Sequence, residues 1–249
     1  MAIQDHVDIA SLQNIPTLPV GDQQRVLGLL EEFNKQEQRE LARGTYLGFV
    51  RQVWPAFIEG RHHAIIAKAF EKVAKGKLKR LIINMPPRHT KSEFASYLLP
   101  AWFLGQYPDK KIIQTAHTAE LAVGFGRKVR NLVASEDYKT IFPKVALRAD
   151  SKAAGRWSTN QSGEYFAIGV GGAVTGKGAD LLIIDDPHSE QEGQSIDPSV
   201  FDKVYDWYTS GPRQRLQPGG AIVVVMTRWH KRDLTGQIVR SSVQRDGVD

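Results

Sequence analysis

Leu81-Ile82-Ile83-Asn84-Met85 runs straight into Pro86-Pro87-Arg88-His89-Thr90-Lys91-Ser92, after which the pattern turns helical. An apolar β-type run that ends in a loop closing with Lys-Ser at a helix start is built to hold phosphate. Loop N–H groups and the positive helix terminus attract the anion, Lys91 can reach the β- and γ-phosphates, and the Ser92 hydroxyl can ligate Mg²⁺. The loop departs from the G-x-x-x-x-G-K-[ST] pattern, because Met85 and Thr90 stand where the two glycines would be. On this motif alone, an ordinary strand-to-helix connection remains open.

A second segment, Gly171-Gly172-Ala173-Val174-Thr175-Gly176-Lys177, fits that string up to its lysine. Its context is wrong for phosphate. Gly178 replaces the cation-binding hydroxyl, and the segment runs into an apolar strand, Leu181 to Ile184, instead of a helix whose dipole could face an anion. It is expected to be a glycine-rich connector that could sense ligand.

That following strand decides in favour of the first site. Leu181-Leu182-Ile183-Ile184 is a run of the kind buried on both faces of a parallel sheet, and it ends in Asp185-Asp186-Pro187. Two adjacent acids at a buried strand end are costly unless a cation sits beside them. In a nucleotide site Asp185 would hold the Mg²⁺ shell and Asp186 would orient or deprotonate the attacking water. A helix cap followed by a turn is the alternative for this motif taken singly.

Outward from these motifs, strands and helices alternate from Leu81 onward, which implies βαβ units and a mainly parallel sheet flanked by helices. Strands are expected over 80–85, 111–116, 165–170, 180–185 and 221–226, and helices near 91–104, 118–134, 199–209 and 231–241. Pro100 should kink the first of these helices. The stretch 143–164 reads as a hairpin around Trp157. Before the sheet, residues 1 to about 20 carry Pro16 and Pro19 without a clear period and suggest an arm. Three helices follow. The first, Asp22 to Arg43, has an apolar stripe of Val26, Leu27, Leu30 and Phe33; the second has Tyr46, Phe49, Val50, Val53 and Trp54 at helical spacing before Pro55; the third, from about Arg61 to Lys75, turns Ile65, Ile66, Ala69, Phe70 and Val73 inward. The expected division is an arm and helical subdomain over 1–76 and an α/β core over 77–249.

Composition bounds the partners. The 249 residues are 41% hydrophobic, enough for one sizeable α/β core and a smaller subdomain, and no run of eighteen apolar residues suggests a membrane span. With no cysteine there is no disulfide and no thiolate metal site, and the seven histidines show no metal-ligand spacing. A net charge of +6, from 33 Lys+Arg against 27 Asp+Glu, favours an acidic partner such as nucleic acid. Arg127, Lys128 and Arg130 on one expected helix could contact DNA or be a solvated face.

A third strand, Ala221 to Met226, ends in Thr227-Arg228-Trp229-His230. Ligands of open α/β sheets sit beyond the carboxyl ends of the strands, so Lys91, Asp185 and Thr227 could converge there. A threonine in that place can bond the water or the γ-phosphate, or serve as an ordinary helix cap. In order and spacing, Pro86–Ser92, Thr175-Gly176-Lys177-Gly178-Ala179-Asp180 leading into Ile183–Pro187, and Thr227–His230 followed by Asp233-Leu234-Thr235-Gly236 resemble the large terminase subunit of tailed bacteriophages, over about residues 60–245.

The resemblance implies a P-loop ATPase with ATP and Mg²⁺ bound by Pro87, Arg88, His89, Thr90, Lys91 and Ser92. It makes Lys91 and Ser92 the Walker A pair, Asp185 the Walker B metal acid beside Ser92, Asp186 the catalytic carboxylate, Thr227 the coupling motif, and Arg88 a charge-stabilising arginine that could otherwise pair with a surface carboxylate. It further implies double-stranded DNA, a portal protein, a small terminase subunit and a ring of its own copies as partners, in the cytoplasm of an infected bacterium. The C-terminal nuclease domain of such proteins is expected to be absent. Thr90 in place of glycine denies the loop φ freedom, and Asp186 is one methylene shorter than the glutamate of many motor ATPases. A helicase-like remodelling ATPase and a nucleotide-dependent assembly module without DNA translocation are the other readings.

Overall fold

The structure, a computed structural model, describes residues 19–245 apart from 152 and 196. The expected N-terminal arm, Pro16 included, lies almost wholly outside the described residues. Six strands make one sheet: β1 (Arg80–Asn84), β2 (Lys111–Ala116), β3 (Arg156–Ser158), β4 (Glu164–Gly169), β5 (Ala179–Asp185) and β6 (Leu216–Met226). Their order is β1-β6-β5-β2-β4-β3, parallel except for β3, which pairs antiparallel with β4. The result is a mixed α/β fold with helices on both faces of a mostly parallel sheet. A hairpin does form at Trp157, but its second arm is β4, the strand expected separately at 165–170, and not a strand within 143–164. The buried Trp157 indole stacks on Tyr165 at 5.0 Å and donates from Nε1 to the Gly126 carbonyl at 3.2 Å.

The strands are apolar on both faces because helices cover both. Ile83, Ile112, Leu181, Ile183, Val223 and Val225 join one core, while Ile113, Leu182, Ile184, Ile222, Val224 and Met226 join the other, in strict alternation along each strand. Each fully buried side chain of this size contributes about 1.5–3 kcal/mol. Helices α1 (Val20–Gly44), α2 (Tyr46–Val53) and α3 (Arg61–Ala74) precede the sheet. Tyr46, Phe49, Val50, Ile66, Phe70 and Val73 from α2 and α3 lie in the first core together with strand residues.

Two expected faces are corrected. Leu27 and Phe33 are about half exposed, because only the last turns of α1 reach the body of the protein, where Ala42 is buried and Arg43 Nε donates to the Ile141 carbonyl. On α3, Ile65 is exposed; His63 and Ala67 are buried instead, so the inward face is rotated from the expected one.

The helix after the phosphate-type loop begins at Lys91, widens into a π-helical segment over Glu93–Leu98, and continues as α4 (Leu99–Gln106). The Leu99 N–H bonds the Phe94 carbonyl five residues back, immediately before Pro100, which cannot donate. The distortion expected from Pro100 is thus a widened turn upstream of it. Downstream, α5 (Ala119–Ala134) and α6 (Glu136–Ile141) cover the first core, α7 (Glu190–Gly193) is a single turn, and α8 (Ser199–Ser210) and α9 (Leu234–Arg245) cover the second. β6 begins five residues earlier than expected, pairing with β5 through a register shift between Ala179 and Leu181; Gly219 takes a φ of 85° in this stretch. Among the described residues, no helix is long and apolar enough to cross a membrane.

Candidate functional site

β6 lies between β1 and β5, with Asn84 opposite Met226 and Asp185 opposite Val225. Parallel register therefore brings the residues that follow these three strands, namely the loop to Ser92, Asp186 and Thr227, to one edge of the sheet. A hollow of about 300 Å³ lies there between Asn84–Pro87 and Thr227–Arg228. A larger groove of about 490 Å³ lies elsewhere, between β1, α8 and α9, lined by Leu81, Tyr205, Tyr208, Ile238 and Val239. Arg80 and Arg213 also line it, but it lies apart from Lys91, Ser92, Asp185 and Asp186.

The loop turns without glycine. Arg88 and Thr90 occupy the left-handed region, with φ of 61° and 59°. Such a conformation costs a non-glycine residue on the order of 1–3 kcal/mol and persists only when its surroundings impose it. The surroundings do so here: His89 Nδ1 lies 2.8 Å from the Pro87 carbonyl, Thr90 Oγ1 donates to the His89 carbonyl at 2.7 Å, and the Thr90 carbonyl accepts from the Phe94 N–H at 3.0 Å. Arg88 is exposed and belongs to no ion pair among the described residues. Trp54 packs against Phe57 at 5.3 Å and on the first core, as its place in the α2 stripe suggests.

Asp185 is buried at the end of β5 and accepts two hydroxyl hydrogen bonds, from Ser92 to Oδ1 at 3.0 Å and from Ser96 to Oδ2 at 2.7 Å. Ser96 in turn accepts from Gln114 Nε2 at 2.9 Å. Burial pushes the Asp185 carboxyl up to about 7; neighbouring Asp186 adds to the rise, while the Ser96 and Ser92 hydroxyls and Lys91 oppose it. Asp186 sits at a φ of 38°, which turns its carboxylate back toward the loop. Its Oδ2 pairs with Lys91 Nζ at 2.8 Å, and its Oδ1 accepts the Thr227 N–H at 2.8 Å. Lys91 is 8% exposed and Asp186 38%, so the pair stands at the mouth of the site. Thr227 closes the ring by donating from Oγ1 to the Met85 carbonyl at 3.3 Å.

The segment after Thr227 is organised by two buried side chains. Asp233 accepts from Arg228 Nε at 2.8 Å, from the N–H groups of Trp229 and His230, and through Oδ1 from the Gly236 N–H at 2.9 Å, which caps α9. His188, two residues beyond Asp186, accepts the Leu234 N–H on Nε2 at 3.0 Å. Burial lowers its pKa, and Glu192 and Asp233 oppose that shift. Thr235 Oγ1 donates to Asn84 Oδ1 at 3.1 Å. Helix α9 is thereby tied to the ends of both β1 and β5.

The structure thus gathers Lys91, Ser92, Asp185, Asp186 and Thr227 into one connected network, with Arg88 and His89 exposed on the loop. Ser96 joins it without having been marked in the sequence, and His63, which in sequence reads with Trp54 and His62 as a side chain ahead of the loop that could stack on a base, faces Thr90 Oγ1 at 2.6 Å. Ser96 had a usable signal, since it stands four residues after Ser92 on the same helix. The contact of His63 with Thr90 and the place of His188 beside the site had none, because only the fold brings them there. The second glycine-rich segment is a connector between β4 and β5. Lys177 Nζ is engaged by Glu164 at 3.4 Å, at the start of β4 and so at the opposite edge of the sheet. Among the described residues, no group of three or more histidines and carboxylates is arranged to hold a metal ion by itself.

The chain matches no protein-family model and no curated protein. Among solved structures it is similar to the HK97 bacteriophage large terminase, with 16% identity and a TM-score of 0.49 over 76% of this chain. It spans 38% of the length of that protein.

Proposed function

We propose that this chain is the ATP-hydrolysing motor domain of a viral DNA-packaging terminase, in which hydrolysis of ATP drives double-stranded DNA into a procapsid. The single observation that carries the reading is the pair of contacts at the strand ends, Ser92 to Asp185 at 3.0 Å and Lys91 to Asp186 at 2.8 Å. They join, across 93 and 95 residues of sequence, the two motifs whose order resembles that of the terminase large subunit.

The residues present fit Mg²⁺: a serine hydroxyl and a carboxylate are hard oxygen donors, and this ion typically takes one or two protein oxygens together with phosphates and water. When bound it would neutralise charge on the phosphates. Lys91 would bind the β- and γ-phosphates as a cation, and Arg88–Thr90 would present backbone N–H groups to them. Asp186 would orient the attacking water and accept its proton, held in place by the Thr227 N–H. Arg88, exposed on the loop, would stabilise charge on the transferred phosphoryl group. A portal protein, a small terminase subunit and further copies in a ring are the partners that this reading carries with it, in the cytoplasm of an infected bacterium.

The test is turnover of Mg-ATP with double-stranded DNA and portal-bearing procapsids. DNA-stimulated hydrolysis is expected for the wild type, with loss to background in Lys91→Ala and a melting temperature that moves by only a few degrees. Full turnover in Lys91→Ala would remove the loop from the mechanism.

A further inference from the structure

We infer that His63 is a positioning residue for the phosphate loop: it clamps the Thr90 side chain and so holds the loop in the left-handed turn for which other loops of this type use glycine. The inference rests on the nucleotide site proposed above, and deepens it by assigning a residue outside the loop to its shape.

The geometry leaves the imidazole one arrangement. Gly60 N–H donates to His63 Nδ1 at 2.9 Å, and a backbone amide can only donate. The ring proton therefore sits on Nε2, which faces Thr90 Oγ1 at 2.6 Å and donates to it. Thr90 passes its own hydroxyl proton to the His89 carbonyl, so the chain of three bonds runs in one direction from the start of α3 into the loop. The ring is 4% exposed and lies between Phe57, at 4.8 Å, and Phe94, at 4.7 Å, the latter on the widened helix that leaves the loop. Burial first, and then neighbouring His62, hold its pKa below the ordinary histidine value against the opposing effect of Glu59, which keeps the neutral tautomer at neutral pH.

Thr90 needs such a clamp. A β-branched residue at a φ of 59° is in a region that its Cβ disfavours. Without a partner it would relax toward negative φ and pull the amides of Thr90 and Lys91 away from a shared focus. Glycine at the same position would need no clamp. The requirement for His63 should thus depend on which residue stands at position 90.

A double-mutant cycle tests this, with affinity for ADP and Mg²⁺ measured by calorimetry and folding checked by thermal melts. In the Thr90 background, His63→Ala should weaken ADP binding about tenfold. Thr90→Gly alone should bind within about threefold of wild type, and adding His63→Ala to it should cost less than about twofold. His63→Gln, whose Nε2 keeps a donor at similar reach, should stay within about threefold of wild type and serves where His63→Ala folds poorly. Equal losses from His63→Ala in both backgrounds would show that the histidine only supports α3, and would overturn the inference. So would no loss in either background, or a loss in His63→Gln as large as in His63→Ala. Absence of ADP binding by the wild type is a distinct failure: it would remove the nucleotide site itself, and the role of His63 with it.

Discussion

Burying Asp185 beneath two serine hydroxyls gives the folded chain a pH response opposite to that of a paired surface carboxylate. Its folded pKa, about 7, lies above the ordinary value of 3.8, so the native state holds this proton more tightly than the unfolded chain does. The associated stability is fully present below about pH 4 and is lost as pH rises through about 7. Melting temperature in EDTA should therefore fall between pH 5 and 8 by the equivalent of about 2–3 kcal/mol, and Asp185→Asn should flatten the profile. A wild-type profile that matches Asp185→Asn would show that the carboxyl titrates normally. Lys91, Ser92, Asp185 and Asp186 could be marked from sequence because each belongs to a short local string with a chemical rationale. Ser96 is legible only through its place four residues after Ser92, and the contact of His63 with Thr90 carries no such string. It bridges 27 residues, and a hydrogen bond across that separation leaves no local pattern.

At the scale of elements, what could be foreseen follows from periodicity. All five expected strands form, and β5 and β6 show why: a parallel strand covered on both faces is an apolar run, as Leu181–Ile184 and Ala221–Met226 are. Period alone does not say what covers a face, which is why the α1 stripe of Leu27 and Phe33 remains half exposed. Nor could it find the early start of β6 through Pro218 and Gly219, residues that ordinarily signal a turn. The position of β6 has a functional consequence. Its end supplies Thr227, which touches Asp186 through its N–H and Met85 through its hydroxyl, so this strand spans the gap between the phosphate loop and the carboxylates. Thr227→Val deletes the hydroxyl while preserving the N–H and most of the volume. It should bind ATP as the wild type does and hydrolyse it at least about tenfold more slowly, or lose stimulation by DNA, at an unchanged melting temperature. Unaltered kinetics would reduce Thr227 to a structural link.

For the whole molecule, Arg88 stands on a loop open to solvent, where, under the function proposed above, one copy of the chain could complete the site of another. A missing arginine finger can cost roughly 10³–10⁵ in rate. Hydrolysis per chain should accordingly rise with protein concentration or on adding portal; a high rate that is constant on dilution would indicate a self-sufficient site. The ion pair between Lys91 and Asp186 adds an order of events. Under the proposed function, the lysine's counter-ion is the very carboxylate that would receive a proton from water, which would make the protein its own competitive inhibitor. Incoming phosphates would have to evict Asp186 before they could be held, and the base would be armed by that eviction and never ahead of it. Asp186→Asn should thus raise affinity for Mg-ATP by roughly three- to tenfold while abolishing turnover. An affinity equal to or below that of the wild type would show that the evicted carboxylate sets no threshold for loading.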